Sequence, residues 1–357
     1  MISKHSHRKD EHISLAEKFY QDTDVFAPLR FVHQSLPKYA LSEIDLSTKI
    51  GPLNLQIPFY IEAISGGSPH TRDINQKLAT IAKETGLAMA VGSQSVALGD
   101  TSLVETFTVA REVNPDGLLF ANIGANKTVN DARHAVAMIG ADALELHVNP
   151  AQELIMPEGD RQFNFLTNIK QIVEGLSVPV IVKEVGFGMS RETIQQLIDL
   201  GVGYVNVSGQ GGTNFAEIEN FRRRDKEMAY LKDWGLTTPE SLMESRPFQD
   251  RLTVLASGGV KSPLDIAKCL ALGSHAVGVA GTFLHLVIHE NIDEVIRVIE
   301  QWQYGLKTIM MLTNSKNITE LQKKKLILPP SLASYLEQRH LTCLLYTSDA
   351  ADDTPCV

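Results

Sequence analysis

The chain has 357 residues, 43% of them hydrophobic and 21% charged, with a formal charge of −9. Those proportions are those of a folded soluble protein, and the acidic balance excludes a general nucleic-acid binder, which needs a basic face. The cysteines Cys269, Cys343 and Cys356 have no metal-ligand spacing and give no even disulfide framework, so a reducing cytoplasm is the expected setting. No signal-peptide core opens the chain and no apolar run is long enough to span a bilayer, so no membrane partner is expected.

In chain order, residues 1–55 form a polar, basic arm and a lead-in. A short helix is expected up to about Tyr20, and Leu41–Leu46 and Leu53–Ile57 read as short strands or an extended lead-in. By its residues alone, Arg8 and Lys9 belong to a solvated terminus. A period then begins. Apolar runs open at Phe59, Leu87, Leu118, Ala143, Val180, Tyr204, Leu252 and Ala276, and amphipathic segments alternate with them. Short β-branched runs buried on both faces suit a parallel sheet. Eight such units predict an α/β fold, a (β/α)8 TIM barrel over 56–340, with a C-terminal helical extension.

The helix before the last strand is clearly signalled. Ser262 suits the N-cap, Pro263 the first turn and Gly273 the residue beyond the end. An insertion spans about 214–250. Its charge run Arg222–Glu227 reads equally as a solvated face or part of a lid. Residues 344–357 lack periodicity and read as a disordered or non-native tail.

Active sites of this fold stand at the C-terminal strand ends. Those ends carry Ala63, Ile64 and Ser65, then Ser93 and Gln94, Asn122, His147 and Asn149, Lys183, Ser208 and Thr213. The last two strands end in the glycine turns Gly258-Gly259 and Ala280-Gly281. Bare N–H groups in such turns cradle a phosphate. A lysine inside an apolar strand needs an anion or an electron-rich ring, so Lys183 reads as a flavin contact or as a core ion pair with Glu145 or Glu184. Gln152 and Glu153 follow Pro150. A carboxylate beside an amide suits a Mg²⁺-bound diphosphate, although a first-turn helix carboxylate is the commoner use of Glu153.

The segments HSHRKDEHI, EAISGGS, VGSQS, FANIG, LELHVNPAQELIMPEGDR, VIVKEVGFGMS, VSGQGGTNF, ASGGVKSPLDIAKCLALG and VGVAG together resemble the type 2, FMN-dependent isopentenyl-diphosphate isomerases. That resemblance spans about residues 5–335. It implies FMN held by Ala63, Ile64, Ser65, Ser93, Asn122, Lys183, Ser208, Thr213, Gly258, Gly259, Ala280 and Gly281. It implies substrate contacts from Arg8, Lys9, Ser93, Gln94, His147, Asn149 and Gln152, so the arm becomes part of the site. Gln152 and His147 are the catalytic candidates, Gln152 chiefly as a positioning group, and Glu153 is the Mg²⁺ ligand.

The implied reaction interconverts isopentenyl and dimethylallyl diphosphate by a 1,3-proton shift at FMN reduced by NADPH. A homo-oligomer, tetramer or octamer, is also implied. Ser95 stands where many members carry arginine, and Glu62 and Ile64 depart from the usual first-strand end. The competing expectation is a flavin-dependent 2-hydroxy-acid oxidase or dehydrogenase. That chemistry needs a His/Arg pair after the sixth strand, and Ser208–Thr213 contains neither.

Overall fold

A computed structural model describes residues 4–20 and 24–341. The cysteines Cys343 and Cys356 and the tail 344–357 lie outside the described residues.

Eight parallel strands close into a barrel: β1 (Phe59–Ile61), β2 (Met89–Ala90), β3 (Leu119–Gly124), β4 (Ala143–His147), β5 (Val180–Lys183), β6 (Tyr204–Asn206), β7 (Thr253–Ala256) and β8 (Ala276–Val279). Each pairs with its chain neighbour, and β8 closes on β1 through Val277 opposite Phe59. The eight units expected from the apolar runs are all present.

Alternation along the strands divides the core in two. Outward side chains such as Phe59, Ile61, Leu144, Val182 and Val254 pack under the surrounding helices. Inward side chains, among them Tyr60, Ala90, Phe120, Ile181 and Leu255, fill the barrel. A hairpin of Thr48–Ile50 and Leu53–Leu55 inserts Ile50 and Leu55 into that interior and plugs its lower end. Gly51 makes this turn at φ +56, where a Cβ would stand 2.2 Å from the Tyr204 hydroxyl oxygen. Above the apolar floor the inward layer becomes polar, with Glu62, Asn122, Glu145, Lys183 and Asn206 all buried.

The helices start where local chemistry starts them. Ser68, Thr128, Ser190 and Ser262 each accept an N–H bond from their own first turn. Gly86 and Gly140 end their helices in left-handed conformation. One expectation changes. Leu41–Leu46 is no strand: Leu41–Glu43 forms a 3₁₀ turn whose Glu43 carboxylate accepts from the Ala40 N–H. The arm forms the helix expected before Tyr20, over fifteen residues, Lys4–Lys18.

The lead-in is tied to the far end of the chain. Arg30–Phe31 pairs antiparallel with Leu326–Ile327, and the buried Lys268 donates to the Phe26 carbonyl at 2.8 Å. The 21-residue helix Ile292–Leu312 packs over the helices Pro263–Ala271 and Pro69–Thr85. Among the described residues no helix is long and apolar enough to cross a membrane.

Candidate active site

A cavity of about 710 Å³ opens at the C-terminal ends of the strands and is roofed by the arm helix. That volume suits a cofactor together with a small substrate. Every candidate residue from the sequence lines it except Gln94. Gln94 is turned away and fully buried: its amide N–H donates to the Ala135 carbonyl, and its oxygen accepts from the Asn122 N–H at 3.0 Å. It braces β2 against β3 and cannot contact a substrate. Its neighbours Ser93 and Ser95 face the cavity and bond to each other at 3.1 Å.

One end of the cavity is backbone-rich. Gly212, Gly258, Gly259 and Gly281 bring main chain to its wall. Gly258 has φ +98, and a Cβ there would stand 2.0 Å from the Gly209 carbonyl oxygen, so this approach tolerates no side chain. Ser208 is held at φ 34 on the same rim, an uncommon conformation for serine. The Ser65 hydroxyl is buried with no partner in the protein. Glycine turns, an unpartnered hydroxyl and Lys183 together make a donor set suited to a phosphorylated flavin.

Lys183 stands on the polar layer. Its Nζ lies 2.9 Å from Glu62 and 3.9 Å from Glu145. Glu62 also accepts from Tyr60, Asn206 and the Ala63 N–H. Burial opposes ionisation of Glu62, but the Lys183 charge and these bonds outweigh it and hold its pKa below the ordinary value. Glu145 goes the other way: burial, then repulsion from Glu62, push its pKa well up. Burial also opposes the Lys183 charge, but Glu62 and then Glu145 keep it protonated. The layer therefore pairs the Lys183 cation chiefly with Glu62, and Glu145 is the carboxyl that burial and Glu62 bias toward its protonated form. The expected core partners were Glu145 and Glu184; the main partner is Glu62. Glu184 instead turns to the backbone, accepting from the Val185 and Phe187 N–H groups.

His147 joins this layer from β4. Its Nδ1 lies 2.9 Å from the Asn122 oxygen, and the Asn122 amide N–H donates to Glu145. With that amide assigned by its network, Nδ1 carries the proton and Nε2 is the acceptor. Burial, then the charges of Lys183 and Lys9, lower the His147 pKa to about 3. The ring is neutral at ordinary pH.

The other wall is a relay. Asn149 donates to the oxygens of Gln152 and Glu153, each at 3.1 Å. Gln152 donates to Glu219 at 3.1 Å. Glu219 is fully buried on the insertion helix Phe215–Arg222, and it also meets Arg222 at 2.6 Å and His12 of the arm at 3.0 Å. Burial works against this carboxylate, yet bonds from His12 and Arg222 outweigh it and keep its pKa low. Arg222 bridges on to Glu11 and Glu158. The first residue of the charge run therefore clamps the arm, while residues 224–227 form the solvated face that was one of the two expectations.

Glu219 and His12 escaped the sequence reading, and Arg222 entered it only as part of a charge run. His12 carried a usable signal, since it follows Arg8 by four residues and shares its helix face.

Two cations of the arm face the cavity. Arg8 is steered by Glu158 at 3.7 Å. Lys9 has no carboxylate partner among the described residues, and burial, then Arg8, lower its pKa to about 8. An enclosed ammonium without a counter-ion is suited to an anionic ligand. Glu153 accepts from Asn149 and from the Asp160 N–H, and no Lys or Arg among the described residues pairs with its carboxylate. It keeps lone pairs for a hard cation, and Mg²⁺ needs only one or two carboxylates when phosphate and water complete its shell.

Comparison with known proteins gives the family and the fold. Residues 103–328 match the FMN-dependent dehydrogenase family. An isopentenyl-diphosphate delta-isomerase of Latilactobacillus sakei is 53% identical over 339 residues, covering 94% of this chain and 97% of the relative. The chain belongs to the isopentenyl-diphosphate delta-isomerase family. A Staphylococcus epidermidis isopentenyl-diphosphate delta-isomerase is 47% identical over 95% of this chain and 98% of its own length. Solved mandelate oxidases share the fold: one with a monooxide FMN adduct superposes with TM-score 0.63 at 15% identity, covering 85% of this chain and 89% of that one. At that identity the likeness is one of fold alone. In this chain the His147 and Lys183 layer and the Gln152 end of the relay line one cavity.

Two expectations follow. The folded His147 pKa lies below its ordinary 6.5, so the unfolded chain binds more protons between about pH 3 and 6.5 and stability falls as pH drops through that window. Replacing His147 with Gln removes this contribution. Chemical denaturation at several pH values should show wild type losing several kcal/mol relative to the variant toward pH 3. Secondly, either carboxylate alone can balance Lys183. Combining Glu62→Gln with Glu145→Gln should therefore cost at least about 1 kcal/mol more than the two single losses together, measured by urea unfolding without cofactor. Additivity would contradict the shared-charge arrangement.

Proposed function

We propose that this protein interconverts isopentenyl diphosphate and dimethylallyl diphosphate by a 1,3-proton shift beside reduced FMN, with NADPH as reductant and Mg²⁺ on the substrate diphosphate. The observation that carries the reading is the lining of a single cavity. It brings together glycine turns and Lys183, which suit a phosphorylated cofactor, with the arm cations Arg8 and Lys9 and with Glu153, which suit a diphosphate.

FMN, when bound, supplies an electron-rich ring and proton-exchanging nitrogens. The chain supplies the rest. Ser65, Ser208, Thr213 and the glycine turns, with Ala63, Ile64, Ser93, Asn122 and Ala280, would hold the cofactor. Lys183 would face the electron-rich end of its ring. Arg8, Lys9 and a Mg²⁺ held by Glu153 would anchor the diphosphate. The five-carbon tail would then point inward toward His147, Asn149 and Gln152.

Neutral His147 cannot act as an imidazolium acid at ordinary pH; it orients through its ring N–H and offers Nε2 as an acceptor. Gln152 is a weak acid and a weak base, so its role is to place the alkene. The Glu219 bond fixes the direction of its amide. The arm helix excludes water from the reacting end. Where many family members carry arginine this chain has Ser95, so the diphosphate depends more heavily on Arg8 and Lys9. A 2-hydroxy-acid oxidoreductase is disfavoured because the segment Ser208–Thr213 offers no His/Arg pair.

Anaerobic incubation of isopentenyl diphosphate with the protein, FMN, NADPH and Mg²⁺ should yield dimethylallyl diphosphate, identified by mass and NMR. Substrate left unchanged by a flavin-loaded sample would overturn the reading. Gln152→Asn should lower turnover at least about tenfold while flavin affinity stays near wild type.

A further inference from the structure

Where its last turn lines the cavity, the arm helix makes a contact that the isomerase reading does not use. Glu17, on its last turn, places Oε2 3.1 Å from Nδ1 of His285 and 2.8 Å from Nε2 of His289. The two histidines stand four residues apart on the helix Gly281–His289 and so share a face. All three ligand atoms lie within 4.8 Å of one another. Among the described residues, no other group of three His, Cys, Asp or Glu side chains gathers so closely.

The trio has the features of a built site. Tyr20 stacks on the His285 ring at 4.7 Å and 4°, which fixes its plane. Ring orientation set from outside the ligand set is what metal-bound histidines need. The side chains remain partly open, at 41% for His285, 52% for His289 and 19% for Glu17, so water can complete a shell.

Ligand atoms around a tetrahedral zinc ion lie roughly 3.3 Å apart, from bond lengths of about 2.0–2.1 Å. The two nitrogen-to-oxygen spacings are slightly shorter because one carboxylate oxygen accepts both ring N–H groups. A cation would replace those two shared protons and push the donors apart by a few tenths of an ångström. Two imidazoles and one carboxylate select a borderline divalent ion and discriminate against Mg²⁺ and Ca²⁺, which prefer oxygen-only shells.

We propose that Glu17, His285 and His289 form a zinc-class divalent cation site that fastens the arm helix to the helix following β8. The site is separate from Glu153. Its position gives it a mechanical consequence, because the helix it would hold also carries Arg8, Lys9 and His12 over the cavity. Occupancy would stabilise the arm in this position.

Tag-free protein stripped with chelator and then titrated with ZnCl₂ in millimolar Mg²⁺ tests this. Calorimetry should show one Zn²⁺ per chain at micromolar or tighter affinity. Glu17→Gln, His285→Ala and His289→Ala should each weaken it at least about tenfold. Co²⁺ in place of Zn²⁺ should give the visible absorption of a four-coordinate site in wild type and lose it in the His285→Ala/His289→Ala variant. Zn²⁺ should also slow trypsin cleavage after Lys18 several-fold in wild type only. Equal Zn²⁺ affinity in wild type and the double variant would overturn the site. Tight Zn²⁺ binding that leaves cleavage of the wild-type arm unchanged would overturn its role as a fastener. Neither readout requires turnover, so the isomerase reading and this site fail independently.

Discussion

The buried carboxylate of Glu219 is the contact on which the rest of the site depends. It has no access to water, so its charge must be met inside the protein. Three elements meet it: Arg222 from its own helix, His12 from the arm and Gln152 from the loop after β4. Removing any one leaves the others facing an undercompensated anion. The arm, the insertion and the loop carrying Gln152 are thus held in one arrangement by one group. Arg222 widens the clamp by reaching Glu11 and Glu158, and Glu158 in turn steers Arg8. Arm position and amide direction are therefore not independent.

A second constraint lies deeper. The barrel is filled by apolar side chains up to Tyr60 and Phe120, which pack edge to face. The next layer must be polar because it floors a cofactor cavity. Five buried polar groups there are satisfied by one another and by Tyr60, His147, Ser257 and the Ala63 and Ser208 N–H groups. Lys183 is thereby a prepaired cation: it presents charge to the cavity while Glu62 supports it from below. Such a layer is rigid, which suits a site whose task is to hold two ligands in fixed relation.

Much of this was readable from the chain because it is local. Strand and helix boundaries follow from apolar period, capping residues and glycines, and all eight strands fall where the pattern puts them. The cavity-facing positions follow from the rule that this fold works at its strand ends. Pairings across the barrel were not readable. Glu62 stands 121 residues from Lys183, and no local pattern selects it over Glu145 or Glu184. Gln94 shows the limit from the other side: it sits at a strand end, yet its amide satisfies two backbone groups and it never reaches the cavity. Glu219 lay in an insertion without periodic signal, and its partners come from segments far apart in the chain. Leu41–Leu46 failed as a strand because Glu43 offers the backbone a closer acceptor.

The central claim is that Glu219 acts on the reaction through Gln152. A double-mutant cycle with Glu219→Gln and Gln152→Asn tests it most directly, reading kcat for isopentenyl diphosphate and FMN affinity in all four proteins. The account predicts that either change lowers kcat at least about tenfold, that the pair lowers it little further, and that FMN affinity stays within about twofold. Independent, multiplying losses in kcat, or an unchanged kcat in Glu219→Gln, would contradict it.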